Sequence, residues 1–319
     1  MAQASPGQGK AYIITEPTSG IGYRTALDLA RHGTVVLVGR NREKLGKVRE
    51  SIERAGGHPV PVVCDLSDLA SVRRAAAEIT ALGRPLAGLV NNAGTGQTRA
   101  TKNARGRDTV FATNHLSPFV LTEALMPHLP DGASVVFVCS GVEDPERRPA
   151  KIAGFRGGRY ISAEASARGE WEPGGSALPG ADAYATSKQC ELATVVAFAR
   201  KTPRLRFNAV EPGYNPATDL SRDAPVAVRF LLKYVLAPLA PFSRCWSTPG
   251  RAGKVIASVL LNESGTGVYY DERGKPMLAT DGPTGLIRSE MSEKSSWGIV
   301  KSPRRNGSPQ WLGSLTKES

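Results

Sequence analysis

Short runs of β-branched residues alternate with segments in which apolar residues recur every three or four positions. Runs such as residues 35–38 and 135–138 are apolar throughout, which is typical of strands covered on both faces. Strands that alternate with amphipathic helices predict βαβ units and a parallel sheet. The predicted fold class is therefore α/β, a doubly wound, Rossmann-like parallel sheet in three αβα layers.

The pattern also places the individual elements. The predicted strands cover residues 11–15, 34–39, 60–64, 86–91, 133–139 and 205–210, with a candidate seventh strand at 267–270. The predicted helices cover residues 20–32, 42–55, 69–82, 107–129 and 181–200.

Two segments interrupt this alternation. Residues 141–180 are rich in Gly, Pro, Ala, Arg and Glu and form an insert, and long irregular segments in compact domains tend to be lids or binding loops. Residues 216–249 are amphipathic and partly helical, and we interpret them as a helical substrate lid whose apolar side chains favour a hydrophobic substrate. A helix that only packs on the core is the alternative for this second segment.

The same pattern divides the chain into three parts. Residues 1–10 are a polar N-terminal leader, residues 11–279 form one Rossmann-type domain, and residues 280–319 form a basic tail. Because Gly, Ser, Pro, Lys and Arg dominate the tail, we expect it to be poorly ordered.

Composition excludes several functional classes. The net charge is +12, but the basic residues are dispersed and no nucleic-acid-binding motif accompanies them, so we expect no nucleic-acid partner. The longest apolar stretch, residues 225–242, carries two basic residues and two internal prolines, so we expect no membrane span. The four cysteines have no metal-ligand spacing, which predicts reduced thiols, no metal site and a cytoplasmic protein.

A glycine-containing turn follows the first predicted strand and opens a helix. Glycines allow the backbone to approach a pyrophosphate, and a helix N-terminus supplies free N–H groups and a partial positive charge. The residues expected to line a dinucleotide here are Thr15, Thr18, Ser19, Gly20, Ile21 and Gly22.

The ends of the second and third strands point to the adenosine half of that dinucleotide. Arg40 stands where an acidic residue would bind a ribose 2′-hydroxyl, and an arginine there would pair with a 2′-phosphate instead, which favours NADP(H) over NAD(H). A solvated basic turn is the alternative for Arg40. Asp65, followed by Leu66, is placed to accept from the adenine amino group, or else to cap the next helix.

Tyr184 and Lys188 are four residues apart on a predicted helix and therefore share one face. A lysine ammonium one turn from a phenol favours the phenolate, so the tyrosine can exchange a proton with a substrate. No other tyrosine in the chain is followed by a lysine at this spacing.

Further motif residues follow the predicted strands, or lie on a predicted helix, in a fixed order along the chain. The residues are Asn91, Ala93 and Gly94 after the fourth strand, Asn114 in the long helix, Ser140 after the fifth strand, and Pro212 and Gly213 after the sixth. Together with the glycine turn and the Tyr184/Lys188 pair, this ordered set resembles the short-chain dehydrogenase/reductase superfamily. The segments around Asn114 and Tyr184 look most like the retinol dehydrogenase and protochlorophyllide reductase-like branch.

The resemblance implies catalytic roles. Tyr184 would be the general acid/base, and Ser140 would hydrogen-bond the substrate carbonyl. Lys188 would bind the nicotinamide ribose and lower the pKa of Tyr184. Asn114 would hold a water that links Lys188 to solvent.

The resemblance also extends the cofactor site. Asn91, Ala93 and Gly94 would line the adenosine side, whereas Pro212, Gly213, Asn215 and Thr218 would pass the nicotinamide. Members of the superfamily use the helix of the Tyr/Lys pair in subunit contacts, and because the 141–180 insert precedes this helix, we expect a monomer or homodimer.

One residue departs from the family pattern TGxxxGxG. Glu16 occupies the first glycine position, which favours a conformation cheap only for glycine, and its carboxylate would stand beside phosphates. Three hypotheses follow: an NADP(H)-dependent ketoreductase or alcohol dehydrogenase, an enzyme that uses Tyr184 for a non-redox dehydration, isomerisation or cyclisation, and a non-catalytic binding or regulatory relative.

Overall fold

The computed structural model of the chain describes residues 9–96, 99–213 and 247–277. Within these residues the strands are β1 Ala11–Thr15, β2 Thr34–Gly39, β3 His58–Val63, β4 Leu86–Asn91, β5 Ser134–Val138, β6 Arg206–Val210 and β7 Val268–Tyr270. They form one parallel sheet in the order β3-β2-β1-β4-β5-β6-β7. The predicted α/β class with a doubly wound, Rossmann-like sheet is confirmed.

The described helices cover both faces of this sheet. They are α1 Gly20–Leu29, α2 Arg42–Arg54, α3 Leu69–Ala81, α4 Thr109–Phe111, α5 Ser117–Leu125, α6 Arg148–Ile152, α7 Ala163–Arg168, α8 Pro179–Lys201 and α9 Pro249–Asn262. Between α4 and α5 the chain makes one π-helical turn, Ala112–Leu116.

The core has two halves, one on each face of the sheet. Successive side chains of a strand point to opposite faces, so Ile13 joins the half built with α3, α5 and α8, whereas Ile14 joins the half built with α1, α2 and α9. Both side chains are fully buried. The apolar runs in the strands are explained by this double coverage, because neither face of a central strand meets solvent.

Element boundaries differ slightly from the predicted ones. The strands β1, β2 and β4 have the predicted bounds, whereas the helix predicted at 107–129 begins at Thr109 as α4 and is broken by the π turn. The 141–180 insert is less irregular than expected, because it contains α6 and α7 and a 3₁₀ turn, Gly141–Glu143.

Helix α9 is absent from the predicted elements. Thr248 caps it by accepting a hydrogen bond from the backbone N–H of Arg251, and Pro249 occupies a first-turn position. Gly253 lies against α1, since a Cβ on it would stand 2.9 Å from the backbone nitrogen of Thr25. The two helices therefore pack at a distance that only a glycine allows.

Candidate active site

The carboxyl ends of β1 and β4 lie side by side at the point where the strand order reverses. The chain runs from β1 outward to β2 and β3, and from β4 outward to β5, β6 and β7. Connections that diverge in this way leave a crevice outside the strand ends, and ligands of doubly wound sheets bind there.

Glu16 follows β1 directly and has a backbone φ of 50°. It is the one non-glycine residue with a positive φ among those that the structure describes, and this conformation costs a residue with a Cβ about 1–2 kcal/mol. The Glu16 side chain is half-buried and lies near the end of β2. If Gly39 carried a Cβ, that atom would lie 3.9 Å from Oε1 of Glu16. The turn therefore has the left-handed backbone conformation expected for a glycine at this position, and Glu16 is strained because it carries a Cβ.

The turn is tied to the end of β4 by Thr15 and Asn92. The buried Thr15 hydroxyl accepts hydrogen bonds from the backbone N–H groups of Asn92 at 3.0 Å and Ala93 at 2.9 Å. The Asn92 side chain donates in return to the carbonyl oxygens of Thr15 at 2.9 Å and Glu16 at 3.3 Å. Thr15 thus acts through the backbone of the turn, and Asn92 is a site residue that the sequence pattern did not single out.

The first turn of α1 offers backbone N–H groups to an anion. Ser19 is the N-cap, its hydroxyl makes no capping hydrogen bond to α1, and the first turn contains no acidic residue. Gly22 must be glycine, because a Cβ there would collide with the Glu16 carbonyl oxygen and stand 2.5 Å from Nδ2 of Asn92. Thr18 and Ile21 are half-buried on either side of Gly20.

The ends of β2 and β3 present polar side chains at the same edge of the sheet. Arg40 is exposed directly after β2. Asp65 is exposed after β3, and its Oδ1 accepts from the backbone N–H and the hydroxyl of Ser67. The alternative role of Asp65 as a helix cap is wrong, because Asp68 caps α3 by accepting from the N–H groups of Ala70 and Ser71.

The residues after β4 divide between core and crevice. Asn91 is buried and its side-chain amide donates to the Thr122 hydroxyl of α5 at 3.0 Å, so it anchors a helix. Ala93 is buried, whereas Gly94 is exposed, and a Cβ on Gly94 would lie 3.7 Å from Nζ of Lys188. Leu66, after β3, is buried, and its carbonyl oxygen accepts from the Ser117 hydroxyl.

Asn114 lies in the π turn and joins two parts of the site. Its side chain accepts from the backbone N–H of Thr95 at 2.8 Å and donates to the Thr95 carbonyl at 3.0 Å. It also donates to the Ser187 hydroxyl at 3.2 Å. Through these three hydrogen bonds, the buried Asn114 holds the loop after β4 to α8. It lies in a π turn, a helix irregularity that is frequent at functional sites.

Ser140, Tyr184 and Lys188 converge beneath the crevice. A side-chain hydrogen bond joins Tyr184 to Ser140, and Nζ of Lys188 lies 5.8 Å from the centroid of the Tyr184 ring. Burial raises the pKa of Tyr184 above its ordinary value, although the Lys188 ammonium and the Ser140 hydrogen bond act to lower it. The expectation that the Lys188 ammonium acts to lower the pKa of Tyr184 agrees with this contribution, although burial outweighs it.

A second unexpected residue, Glu191, pairs with Lys188. Nζ of Lys188 lies 2.9 Å from Oε2 and 3.2 Å from Oε1 of Glu191, and both side chains are buried. Nζ also donates to the Val138 carbonyl oxygen at 2.8 Å. The signal in the sequence is an acidic residue three positions beyond Lys188 on the same predicted helix.

The loop after β6 packs against two later segments of the chain. Gly213 has a φ of 74°, and a Cβ on it would stand 3.0 Å from Cβ of Glu272 and 3.1 Å from Cβ of Ser247. Pro212 beside it is half-buried. Asn215, Thr218 and most of the 216–249 lid lie outside the described residues, as does the 280–319 tail.

The insert supplies an aromatic wall beside Tyr184. The Phe155 ring lies 6.1 Å from the Tyr184 ring, centroid to centroid, and Trp171 contacts Phe111 of α4 edge-on at 5.9 Å. These rings make the described approach to the phenol apolar.

A charged cluster lies at the start of the insert. Arg147 forms an ion pair with Glu211, and this pair covers Gly141, where any Cβ would collide with the guanidinium. Glu143 is buried beside it, and burial, together with the charge of Glu211, raises its pKa to about 8. Glu143 is therefore protonated at neutral pH.

A nicotinamide dinucleotide fits the residues present. The glycines Gly20 and Gly22 leave the first N–H groups of α1 for phosphates. Lys188 lies at the carboxyl end of β5, where its Nζ donates to the Val138 carbonyl oxygen, and a Cβ on Gly94 would lie 3.7 Å from that Nζ. Among the described residues, no group of His, Cys, Asp and Glu side chains has the arrangement of a metal site.

Comparisons with known proteins agree with this geometry. The family model of short chain dehydrogenases matches residues 10–148. A protein of Streptomyces sp. strain C5 assigned as a daunorubicin C-13 ketoreductase is 27% identical over 278 residues, which cover 86% of this chain and 87% of the relative. Retinol dehydrogenase 12 of Mus musculus is 36% identical over 128 residues, which are 39% of this chain and 40% of the relative.

Solved structures match over most of the fold. A short-chain dehydrogenase of Shigella flexneri, solved in complex with NADP, aligns with a TM-score of 0.59 at 24% identity and covers 84% of this chain and 98% of its own. The same fold is thus present in a protein that holds a nicotinamide dinucleotide. None of the described helices of this chain is long and apolar enough to cross a lipid bilayer.

Proposed function

The chain belongs to the short-chain dehydrogenase/reductase superfamily of oxidoreductases, and on that premise we propose that it is an NADP(H)-dependent ketoreductase or alcohol dehydrogenase acting on a hydrophobic substrate. The observation that carries the proposal is the side-chain hydrogen bond between Ser140 and Tyr184, with Lys188 one helical turn from the tyrosine. A phenol, a hydroxyl and an ammonium at the end of a crevice can bind a carbonyl oxygen and exchange its proton.

In the direction of reduction, Tyr184 donates its proton to the carbonyl oxygen. Ser140 donates a hydrogen bond to that oxygen, which stabilises the negative charge that develops on it. A nicotinamide cofactor held at the turn of Gly20 and Gly22 would supply the hydride that the carbonyl carbon takes up. Tyr184 is left as a phenolate that Lys188 stabilises electrostatically until it takes a proton back from solvent, and Asn114 keeps α8 in place through Ser187.

Arg40 supports the preference for NADP(H) over NAD(H). Its exposed side chain follows β2, where the ribose carrying the 2′-phosphate would lie, and arginine pairs with phosphate through two parallel hydrogen bonds. The NADP found in the Shigella flexneri relative supports the same preference. Glu16 opposes it, because its carboxylate points toward the same strand end.

A hydrophobic, multi-ring or long-chain substrate suits the described wall of Phe155 and Trp171. The apolar residues within 216–249 extend this expectation. The similarity to the Streptomyces protein assigned as a daunorubicin C-13 ketoreductase supports the reduction of a ketone.

The second candidate is a non-redox reaction at Tyr184, and Glu16 is the observation that favours it. The backbone of Glu16 is strained, and its carboxylate would repel the phosphates of an anionic cofactor in this turn. Cofactor binding would be weaker as a result, whereas Ser140 and Tyr184 would be unaffected. The third hypothesis, a non-catalytic relative, is the least favoured, because it gives no reason to keep Asn114, Ser140, Tyr184 and Lys188 together.

The test is a calorimetric titration of the protein with NADPH and with NADH, alongside the Glu16→Gly variant. We expect micromolar binding of NADPH, at least about tenfold tighter than that of NADH, which is about 1.4 kcal/mol. Binding that occurs only after Glu16 is replaced would overturn the redox function and favour the non-redox one.

The Tyr184→Phe variant separates enzyme from binding protein. Because general acid–base catalysis contributes about 10²–10⁴-fold, we expect at least a hundredfold loss of carbonyl reduction with NADPH affinity unchanged. Equal activity of the variant and the unmodified protein would show that Tyr184 is not the general acid/base.

A further inference from the structure

Glu191 is a buried carboxyl that the proposed reaction does not use. It lies on α8, one turn beyond Lys188, and only 1% of its side chain is exposed. A buried carboxylate is costly unless it is paired and hydrogen-bonded. Here the Lys188 ammonium pairs with it, and the Cys139 thiol donates to it as well.

This pairing engages every donor of Lys188. An ammonium carries three N–H groups, and three acceptor atoms lie within 3.2 Å of Nζ: both carboxylate oxygens of Glu191 and the Val138 carbonyl oxygen. The Tyr184 ring centroid is farther away, at 5.8 Å. Lys188 is thus held toward Glu191 and β5.

The other titratable groups around Lys188 and Tyr184 are neutral. Cys139, after β5, has a pKa raised by burial, and His115, in the π turn, has a pKa lowered to about 3 by burial and by the Lys188 charge. Ser140 is uncharged. The net electrostatic influence on the phenol therefore comes from Lys188 and Glu191, whose charges oppose each other.

We propose that Glu191 is a positioning residue that holds Lys188 in a buried ion pair, offsets the ammonium charge felt by Tyr184 and so keeps the phenol protonated. A protonated phenol can donate to a carbonyl oxygen but cannot take a proton from an alcohol. The proposal rests on the proposed function and deepens it, because a protonated phenol at neutral pH favours reduction of a carbonyl over oxidation of an alcohol. It adds no chemical step to the reaction.

The pKa values support this assignment. Burial raises the pKa of Tyr184, the Lys188 charge acts against that rise, and the Glu191 charge reinforces it. Burial acts to lower the pKa of Lys188 and the Glu191 charge acts to raise it. In the pH range where Lys188 keeps its proton, removing the Glu191 charge leaves the ammonium unopposed, so the phenol should ionise at lower pH.

The experiment is an ultraviolet titration of tyrosinate absorbance in four proteins: the unmodified chain, Tyr184→Phe, Glu191→Gln, and the double variant. Subtracting each Tyr184→Phe curve isolates the titration of Tyr184. We expect its midpoint in Glu191→Gln to fall by at least about one pH unit, the usual effect of an unopposed charge within a few ångströms. A midpoint that stays or rises would overturn the proposal.

The control is Glu143→Gln, which removes a second buried carboxyl that does not contact Lys188, and it should leave the Tyr184 midpoint in place. If Glu191→Gln does not fold, as judged by circular dichroism, the unmodified protein still decides. Its Tyr184 midpoint must lie above the ordinary value of about 10, and a midpoint near neutrality would refute the proposal.

Cofactor and substrate are absent from this titration, so its outcome is independent of the proposed function. With an active enzyme, the pH profile of kcat/KM adds a second readout. Alcohol oxidation by Glu191→Gln should become possible at lower pH, whereas a merely structural role for Glu191 would lower kcat/KM equally at every pH.

Discussion

At the scale of single residues, Thr15 shows how one hydroxyl organises the crevice. It ends β1, is buried, and accepts from two backbone N–H groups of the segment after β4. The sequence predicts that Thr15 lines the cofactor, and the structure adds a second role to this residue. It holds the strained turn of Glu16 against the neighbouring strand end.

We predict that Thr15→Val, which keeps the shape of the side chain and removes the hydroxyl, destabilises the protein by about 2–4 kcal/mol. Two buried N–H donors lose their acceptor, and each unsatisfied donor costs about 1–3 kcal/mol. Urea unfolding measures the loss. Thr15→Ser, which keeps the hydroxyl, should recover most of it, and equal stability of both variants would contradict the prediction.

At the scale of elements, helix packing sets the geometry around the cofactor turn. Helix α1 carries that turn at its N-terminus and packs along α9, where Gly253 lies against Arg24 and Thr25. The position of α9 therefore fixes how α1 presents its first N–H groups to the crevice.

We predict that Gly253→Ala destabilises the protein by about 1–3 kcal/mol, because the added methyl group meets backbone atoms of α1 and the helices must separate. Gly250→Ala is the matched control in the same helix, since a Cβ there has no atom within 4 Å. The control should be neutral or slightly stabilising, because alanine favours helix over glycine. Thermal unfolding measures the stability of both variants. If both lose the same stability relative to the unmodified protein, close packing at Gly253 is not the cause.

At the scale of the whole molecule, buried carboxyls make stability depend on pH. The pKa of Glu143 is raised to about 8, so the folded state keeps a proton that the unfolded chain releases near pH 4.5. Its stabilising contribution is complete below about pH 4.5 and is lost as the pH rises to about 8. Burial also raises the pKa of Glu191, which acts in the same direction.

We predict that the free energy of unfolding falls from about pH 5 to about pH 8, and that Glu143→Gln reduces this fall. One fully retained proton corresponds to a slope of about 1.4 kcal/mol per pH unit. Denaturant unfolding at several pH values measures the slope. The exposed Glu78→Gln should leave it unchanged, and an unaltered slope in Glu143→Gln would show that Glu143 is not the source.

Part of the site can be found from the order of residues along the chain. The Tyr184/Lys188 spacing and the polar residues after successive strands identify Ser140, Asn114 and the glycine turn. The contributions of Asn92 and Glu191 cannot be found in this way. Asn92 acts by bridging two strand ends that are 77 residues apart, and Glu191 acts through burial, which an isolated acidic letter in a helix does not reveal.

The sequence by itself determined the α/β class, the succession of strands and helices along the chain, and the pairing of Tyr184 with Lys188, because hydrophobic periodicity and spacing within one helix are local properties. Only the tertiary structure decided that Glu16 keeps the turn under strain, that α9 packs on α1, and that the Lys188 ammonium is opposed by Glu191. These properties depend on distances between remote segments and on exclusion from water, and both arise only when the chain has packed.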